Sequence, residues 1–156
     1  MAYWKFDDGT GTNAQDSSPN NNDGTITGAT WQTSDQCVSG KCLKFDGSTS
    51  YVSATNSNSI TSANSTGSIS AWIKANSISA SVIGTIVDVT GTGQNGLYFY
   101  VNTDSKLYLR YGIGGGQTTV ASSNSILNTN QWYFVTATWN SSGAIVYIDG
   151  KQMGSS

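Results

Sequence analysis

The side chains that could perform acid–base or nucleophilic chemistry are few in this chain. Its acidic residues number 9, and all of them are Asp, because the chain contains neither Glu nor His. A glycosidase needs two carboxyl groups held as a pair, one of them with a raised pKa. No two Asp stand two or four residues apart on one predicted strand, and most adjoin Gly or lie in polar turn sequences. Ser and Cys nucleophiles lack a His base, so the sequence predicts a protein that is not an enzyme.

Aromatic side chains offer a second chemistry, because the apolar face of a sugar packs on Trp and Tyr rings. On three predicted strands, aromatic and basic residues alternate with aliphatic ones. Apolar and aromatic surfaces with a few polar groups are typical of ligand sites. We predict a carbohydrate-binding surface made of Trp72, Tyr98, Tyr100, Tyr108 and Arg110. The alternatives are plain cross-strand packing of the same rings and a surface for a protein partner.

The composition argues against several classes of partner. The chain has 7 basic residues and a formal net charge of −2, so nucleic acid and anionic membrane surfaces are poor partners. No stretch approaches the ~20 apolar residues that a transmembrane helix needs, which predicts no membrane insertion. Low net charge and 11% aromatic residues also argue against a disordered chain.

Two cysteines, Cys37 and Cys42, flank a predicted tight turn of sequence Val-Ser-Gly-Lys. We predict a disulfide between them, which is typical of an oxidising compartment; two free, half-buried thiols are the alternative. The chain has no further Cys or His to complete a zinc site. So short a loop predicts a modest stabilisation, below the ~3 kcal/mol that the loop-entropy model gives for 15 residues.

Short strands must position these residues. Segments in which apolar and polar residues alternate recur along the chain, separated by residues that favour turns. Strands are predicted at 2–6, 24–31, 42–45 with a continuation at 51–54, 68–74, 83–89, 96–101, 106–111, 118–121, 132–139 and 144–149. One more strand begins after the turn at 149–150, and no helix is predicted. Many short antiparallel strands at this spacing indicate an all-β, two-sheet sandwich or jelly roll.

Six ordered blocks of sequence resemble the laminin-G-like, concanavalin A-like jelly-roll family. They begin at Tyr3-Trp4-Lys5-Phe6-Asp7-Asp8-Gly9, include Phe45-Asp46-Gly47 and Ser68-Ile69-Ser70-Ala71-Trp72-Ile73-Lys74, and end at Tyr147-Ile148-Asp149-Gly150-Lys151. The resemblance implies one domain over residues 1–156, built as two facing antiparallel sheets of which one is concave. It also implies a secreted or cell-surface module that binds a glycan or glycoprotein.

The same resemblance implies a structural calcium ion. Its ligands would be the carboxylate of Asp7 and, mainly through backbone carbonyls, Asp46 or Gly47. Loops rich in Asp, Asn and Gly supply the oxygens that Ca²⁺ prefers, and the loop at 16–23 is a second candidate. The family's closing-strand Asp has no counterpart in this sequence. Asx turns that hold no metal are the alternative.

Family members usually continue for a few strands beyond the last block. The resemblance therefore implies that the sequence is truncated at its C-terminus, that the final strands are supplied by another chain, or that the domain is a shortened variant. Unpaired strand edges would favour self-association. The favoured function is a non-catalytic carbohydrate-binding module. The alternatives are a structural or adhesion subunit of a surface protein or filament, which engages protein partners or itself, and a degenerate hydrolase domain.

Overall fold

The computed structural model describes residues 1–54, 66–78, 83–89, 96–113, 116–124 and 127–156. Every strand pair in these ranges is antiparallel, so the all-β prediction is confirmed. None of the described segments forms a helix long and apolar enough to cross a membrane. The chain divides into two compact units, Met1–Ile60 and Thr61–Ser156.

The first unit contains two small sheets and a short 3-10 helix at Ser34–Gln36. One sheet has the order β1-β2-β5 and the other pairs β3 with β4. The strands are β1 Asn13–Ala14, β2 Gly24–Thr27, β3 Thr30–Gln32, β4 Cys42–Lys44 and β5 Tyr51–Ser53.

Three sequence predictions for this unit are wrong. The strand predicted at 24–31 is two strands in different sheets, because Gly28 has a φ of 69° and turns the chain between them. The segment at 51–54 does not continue β4, since β5 pairs with β2 instead. The segment at 2–6 forms only an isolated bridge between Trp4 and Asp16, and the backbone leaves the extended region at Phe6, whose φ is 56°.

The second unit is a sandwich of two four-stranded sheets. The first sheet, in the order β13-β12-β11-β6, consists of β6 Gly67–Lys74, β11 Trp132–Asn140, β12 Gly143–Ile148 and β13 Lys151–Ser155. The second, in the order β10-β9-β8-β7, consists of β7 Gly84–Val89, β8 Leu97–Val101, β9 Leu107–Ile113 and β10 Gly116–Ala121. All strands predicted for this part of the chain are confirmed, with ends that differ by at most two residues.

The core of this unit lies between its two sheets. Phe99, Leu107 and Leu109 of one sheet belong to the same buried cluster as Val135 and Val146 of the other, and all five are 0% exposed. Because side chains alternate along a strand, the residues between these core positions must point away from the sandwich. The same alternation therefore creates two outer faces, one on each sheet.

The backbones of the two sheets meet at one corner of the sandwich. The Ser123 amide, just after β10, donates a hydrogen bond of 2.7 Å to the Met153 carbonyl in β13. Gly154 follows, and a Cβ atom at this position would collide with the Ala121 carbonyl oxygen of β10. The absence of a side chain at Gly154 is what allows the two backbones to approach so closely.

Candidate functional site

The outer face of the β7–β10 sheet carries two rows of side chains that cross its four strands. Directly paired residues form these rows, which are Asp88, Tyr98, Arg110 and Thr119 in the first and Thr85, Tyr100, Tyr108 and Ala121 in the second. We call this surface the tyrosine face. It contains four of the five residues that the sequence predicted for carbohydrate binding.

Three tyrosine rings stack on this face. The ring centroids of Tyr98 and Tyr100 are 4.4 Å apart, and those of Tyr100 and Tyr108 are 5.3 Å apart, both in stacked geometry. Tyr100, in the middle, is only 9% exposed, whereas Tyr98 and Tyr108 are half-buried. A ligand on this face would therefore pack on Tyr98 or Tyr108, while Tyr100 holds the stack together.

The three tyrosine hydroxyls differ in their hydrogen bonding. The Tyr98 hydroxyl lies 2.9 Å from Thr85 Oγ1, and the Tyr108 hydroxyl donates to Asp104 Oδ2 at 2.9 Å. The bond to Asp104 raises the pKa of Tyr108. Within the described ranges the Tyr100 hydroxyl has no hydrogen-bond partner in the protein, and it reaches solvent. Burial of the ring raises the pKa of Tyr100, and the positive charge of Arg110 opposes that rise.

Arg110, the one arginine of the chain, lies beside this stack. Its guanidinium carbon is 5.2 Å from the centroid of the Tyr98 ring, a distance typical of a cation–π contact. The side chain is exposed. The tyrosine face thus combines aromatic ring surface with a cluster of hydrogen-bond donors.

Trp72, the fifth predicted residue, lies in β6 and hence in the other sheet. It is paired with Phe134 and points out of the sandwich, where it is 50% exposed and its ring centroid is 5.2 Å from that of Phe134. Nearby, the Lys74 ammonium lies 5.1 Å from the centroid of the Trp132 ring. The structure therefore does not bring Trp72 together with the tyrosine face; alternation along single strands could not reveal which strands share a sheet.

Asp46, one of the predicted calcium ligands, is exposed and already accepts five hydrogen bonds from its own loop. Their donors are the Ser48, Thr49 and Ser50 amides and the hydroxyls of Thr49 and Ser50. These bonds, that from the Thr49 hydroxyl most of all, hold the pKa of Asp46 well below its usual range. Gly47 follows with a φ of 76°, so its role in this structure is to turn the chain.

Asp7, the other predicted calcium ligand, lies against the loop that the two cysteines close. Its Oδ1 atom accepts a hydrogen bond of 3.1 Å from the Lys41 amide. In the described part of the chain, no group of three or more His, Cys, Asp or Glu residues could hold a metal ion. Because backbone carbonyls are also calcium ligands, a calcium site at Asp7, Asp46 and Gly47 stays a prediction.

The disulfide prediction is confirmed, since Cys37 and Cys42 are bonded to each other. A disulfide is typical of proteins from oxidising compartments.

Asp16 accepts as many hydrogen bonds as Asp46 but is buried, and the sequence did not single it out as an individual residue. It is 5% exposed and accepts bonds from the backbone amides of Tyr3, Ser18 and Asn22, the Ser18 hydroxyl and the Asn22 side-chain amide. Burial would raise the pKa of Asp16, but these bonds outweigh it and hold that pKa well below its usual range. The Asp-Ser-Ser run, with Asn22 six residues after Asp16, is the signal that could have identified it.

A family model described as the concanavalin A-like lectin/glucanases superfamily, Laminin_G_3, matches residues 46–156. Comparisons with curated proteins and with solved structures found no match. The matched range covers β5 and the whole sandwich, so the jelly-roll prediction is confirmed. The match supports a binding module in general, and lectin-type domains of the laminin G kind are typically non-catalytic and extracellular.

Proposed function

Because the chain belongs to the concanavalin A-like lectin/glucanases superfamily, we propose that it is a secreted or cell-surface, non-catalytic module that binds carbohydrate on the tyrosine face. One observation carries this proposal: three stacked tyrosines, one with an unpartnered hydroxyl in the described structure, stand beside an exposed arginine on a single sheet face. A pyranose offers both an apolar C–H face for the rings and hydroxyls for the donors.

Sheet packing alone explains this arrangement less well. Cross-strand aromatic pairs stabilise a sheet by roughly 0.2–1 kcal/mol each, which accounts for the ring contacts. It gives no role to the Tyr100 hydroxyl or to the N–H groups of Arg110, which reach solvent and have no acceptor in the described protein. Polar groups placed beside half-buried rings are what a sugar-binding surface requires.

The carboxylates near this face support binding rather than hydrolysis. Asp104 accepts hydrogen bonds from the Tyr108 hydroxyl and from the Lys106 amide at 3.2 Å, so it positions the end of the tyrosine stack. Asp88 lies in the other row, beyond Tyr98. The chain contains no Glu, the residue that most often serves as the glycosidase acid.

The proposal is tested with an array of glycans, probed with the purified protein in calcium and again in a chelator. We expect specific binding that falls about tenfold or more in Tyr108→Ala, because this change removes half-buried ring surface from the end of the stack. Trp72→Ala, which alters the outer face of the other sheet, is the matched aromatic control and should bind normally. Loss of signal in the chelator would assign calcium a part in the ligand site.

An array without signal from a protein with an intact melting transition would contradict this function. It would favour the structural or adhesion role, in which the partner is a protein or a second copy of the chain. Binding that depends on Trp72 and not on Tyr108 would move the site to the outer face of the β6–β11 pair and would equally contradict the proposal.

A further inference from the structure

Arg110 has an unusual place for the one arginine of a weakly charged protein. It stands in the middle of the first row of the tyrosine face, between Tyr98 and Thr119, and not at the rim of the sheet. Its side chain is exposed, and in the described ranges no carboxylate lies close enough to form an ion pair with it. Within the described protein its side chain contacts the ring of Tyr98, which supports the guanidinium and leaves the N–H groups at its edge for an external acceptor.

A second donor lies on the same face, in the neighbouring row. Tyr100 follows Tyr98 on the same face of β8, its hydroxyl has no partner in the described structure, and the charge of Arg110 acts on it. A guanidinium and a hydroxyl on one sheet face both donate hydrogen bonds, and together they match an acceptor that carries negative charge.

Of the two carboxylates near this face, Asp104 accepts a hydrogen bond from the Tyr108 hydroxyl and its charge acts on Tyr100, whereas Asp88 lies away from Arg110. Asp88 occupies the same row as Arg110 but stands two strands away, with Tyr98 between them. At ~4.8 Å between strands this is about 10 Å, roughly one Debye length at moderate salt. On the other side of Arg110 the row ends with the uncharged Thr119. A sugar laid across the face can therefore place an anionic group at Arg110 without meeting Asp88.

We infer that the tyrosine face prefers an acidic sugar, whose carboxylate is bound by the Arg110 guanidinium and the Tyr100 hydroxyl. This inference rests on the carbohydrate-binding function proposed above and names its ligand class. A carboxylate is the group of choice because its two oxygens match the planar fork of a guanidinium. The neutral part of the same ligand packs on the half-buried tyrosine rings.

Matched pairs of polymers test the inference, because each pair differs in the carboxylate alone. Oligogalacturonate is compared with its methyl ester, and hyaluronan oligosaccharides with their carboxyl-reduced form, by titration calorimetry. We expect the acidic member of at least one pair to bind about ten- to a hundredfold more tightly, as charge-assisted hydrogen bonds predict. Added salt should weaken the acidic member more than the neutral one.

Variants test whether Arg110 gives the preference for the acidic sugar. Arg110→Gln should bind both members of a pair with equal affinity, at the level of the neutral one, and Arg110→Lys should recover part of the difference because it keeps the charge but not the fork. Lys74→Gln is the control, since Lys74 is also a cation over an aromatic ring but lies on the other sheet. Tyr108→Ala should weaken both members together.

Several results would overturn the inference. Equal binding of acidic and neutral members by the unaltered protein would remove the acidic preference and leave the carbohydrate-binding function standing. A preference that survives Arg110→Gln, or that disappears in Lys74→Gln, would place the anion elsewhere. Tighter binding of a sulfated glycan than of every carboxylated one would assign Arg110 to sulfate. Failure of all these polymers, with signal from neutral glycans on the array, would also reject it.

Discussion

The Asp16 carboxylate accepts hydrogen bonds from residues on both sides of it in the sequence. Tyr3 lies 13 residues before it, and Ser18 and Asn22 follow it. Asn22 is itself 2% exposed, and its carbonyl accepts the indole N–H of Trp4 at 2.9 Å. One buried anion thus ties the opening segment to the following loop, where strand pairing is reduced to a single bridge.

Replacement of Asp16 by Asn should lower the melting temperature at neutral pH by several degrees. An amide has one acceptor oxygen instead of two, and its NH₂ group would face donors that need an acceptor. The midpoint is measured by the near-ultraviolet signal of Trp4 and its neighbours. Ser18→Ala removes one of the five donors to Asp16 and the acceptor of the Asn20 amide, and should have a smaller effect; equal losses would contradict this view of the carboxylate.

Acid should weaken the first unit through Asp16 and Asp46. Since both pKa values are lowered in the folded state, their contribution to stability is complete above the ordinary Asp pKa of about 3.9. It is lost as the pH falls from there towards the folded pKa, because the unfolded chain takes up the protons first. Asp16→Asn should show a shallower decrease between pH 4 and pH 2 than the unaltered protein, and identical slopes would contradict the assignment.

At the scale of elements, the two units differ in how well the sequence predicts them. Strands β6, β8, β9, β11 and β12 alternate strongly because one face of each contributes to a common core, and their prediction is accurate. In the first unit, side chains such as Asp16 take backbone N–H groups that a strand would otherwise use. The spacing of hydrophobic residues carries no information on such bonds. The prediction of a strand at 2–6 is therefore wrong.

The tyrosine face illustrates the same limit. Alternation along β8 and β9 identified Tyr98, Tyr100, Tyr108 and Arg110, since each strand reveals which of its residues point outward. It could not reveal that Trp72 belongs to the opposite sheet, because sheet order depends on long-range pairing. Nor could it foresee that the five donors around Asp46 come from the same short loop.

The loop closed by Cys37 and Cys42 depends on a glycine for its contact with Asp7. Gly40 has a φ of 56°, and a Cβ atom there would collide with the Asp7 carboxylate. Gly40→Ala should therefore destabilise the first unit more than Gly47→Ala, whose φ is 76° but whose Cβ would meet nothing within 4 Å. Each of the two substitutions also costs about 1–2 kcal/mol of stability, because an alanine is strained in the left-handed backbone conformation. Urea denaturation measures the difference, and equal losses would show that the Asp7 contact has no energetic weight.

At the scale of the whole chain, the family match and the division into units do not coincide. The match begins at Asp46, within the first unit, and covers all of the second. The sandwich is therefore the part for which family membership and core packing agree. The two sheets of the sandwich are joined directly at one corner. There Gly154 lies against Ala121, and the Ser123 amide donates a hydrogen bond to the Met153 carbonyl.

Gly154→Ala should destabilise the sandwich by about 1–3 kcal/mol, the usual cost of overpacking. The added methyl group would meet a backbone oxygen, which cannot rotate away as a side chain can. Gly116→Ala is the matched control in β10, where a Cβ atom meets nothing within 4 Å, and it should change the free energy of unfolding by less than about 0.5 kcal/mol. Thermal unfolding compares the two variants, and similar losses would indicate that the corner is not tightly packed.

The hydrogen bonds around Asp46 also affect how the protein ages. Asp followed by Gly is the dipeptide most prone to spontaneous isomerisation. The glycine amide nitrogen attacks the aspartate carboxyl carbon, water leaves as a succinimide ring closes, and hydrolysis of that ring gives isoaspartate. In this loop, five bonds fix the Asp46 carboxylate towards Ser48, Thr49 and Ser50, and the attack would have to reorient this carboxylate against them. A sequence that looks chemically fragile at Asp46-Gly47 is thus protected by its own fold, so that isoaspartate should accumulate there mainly in molecules that have unfolded.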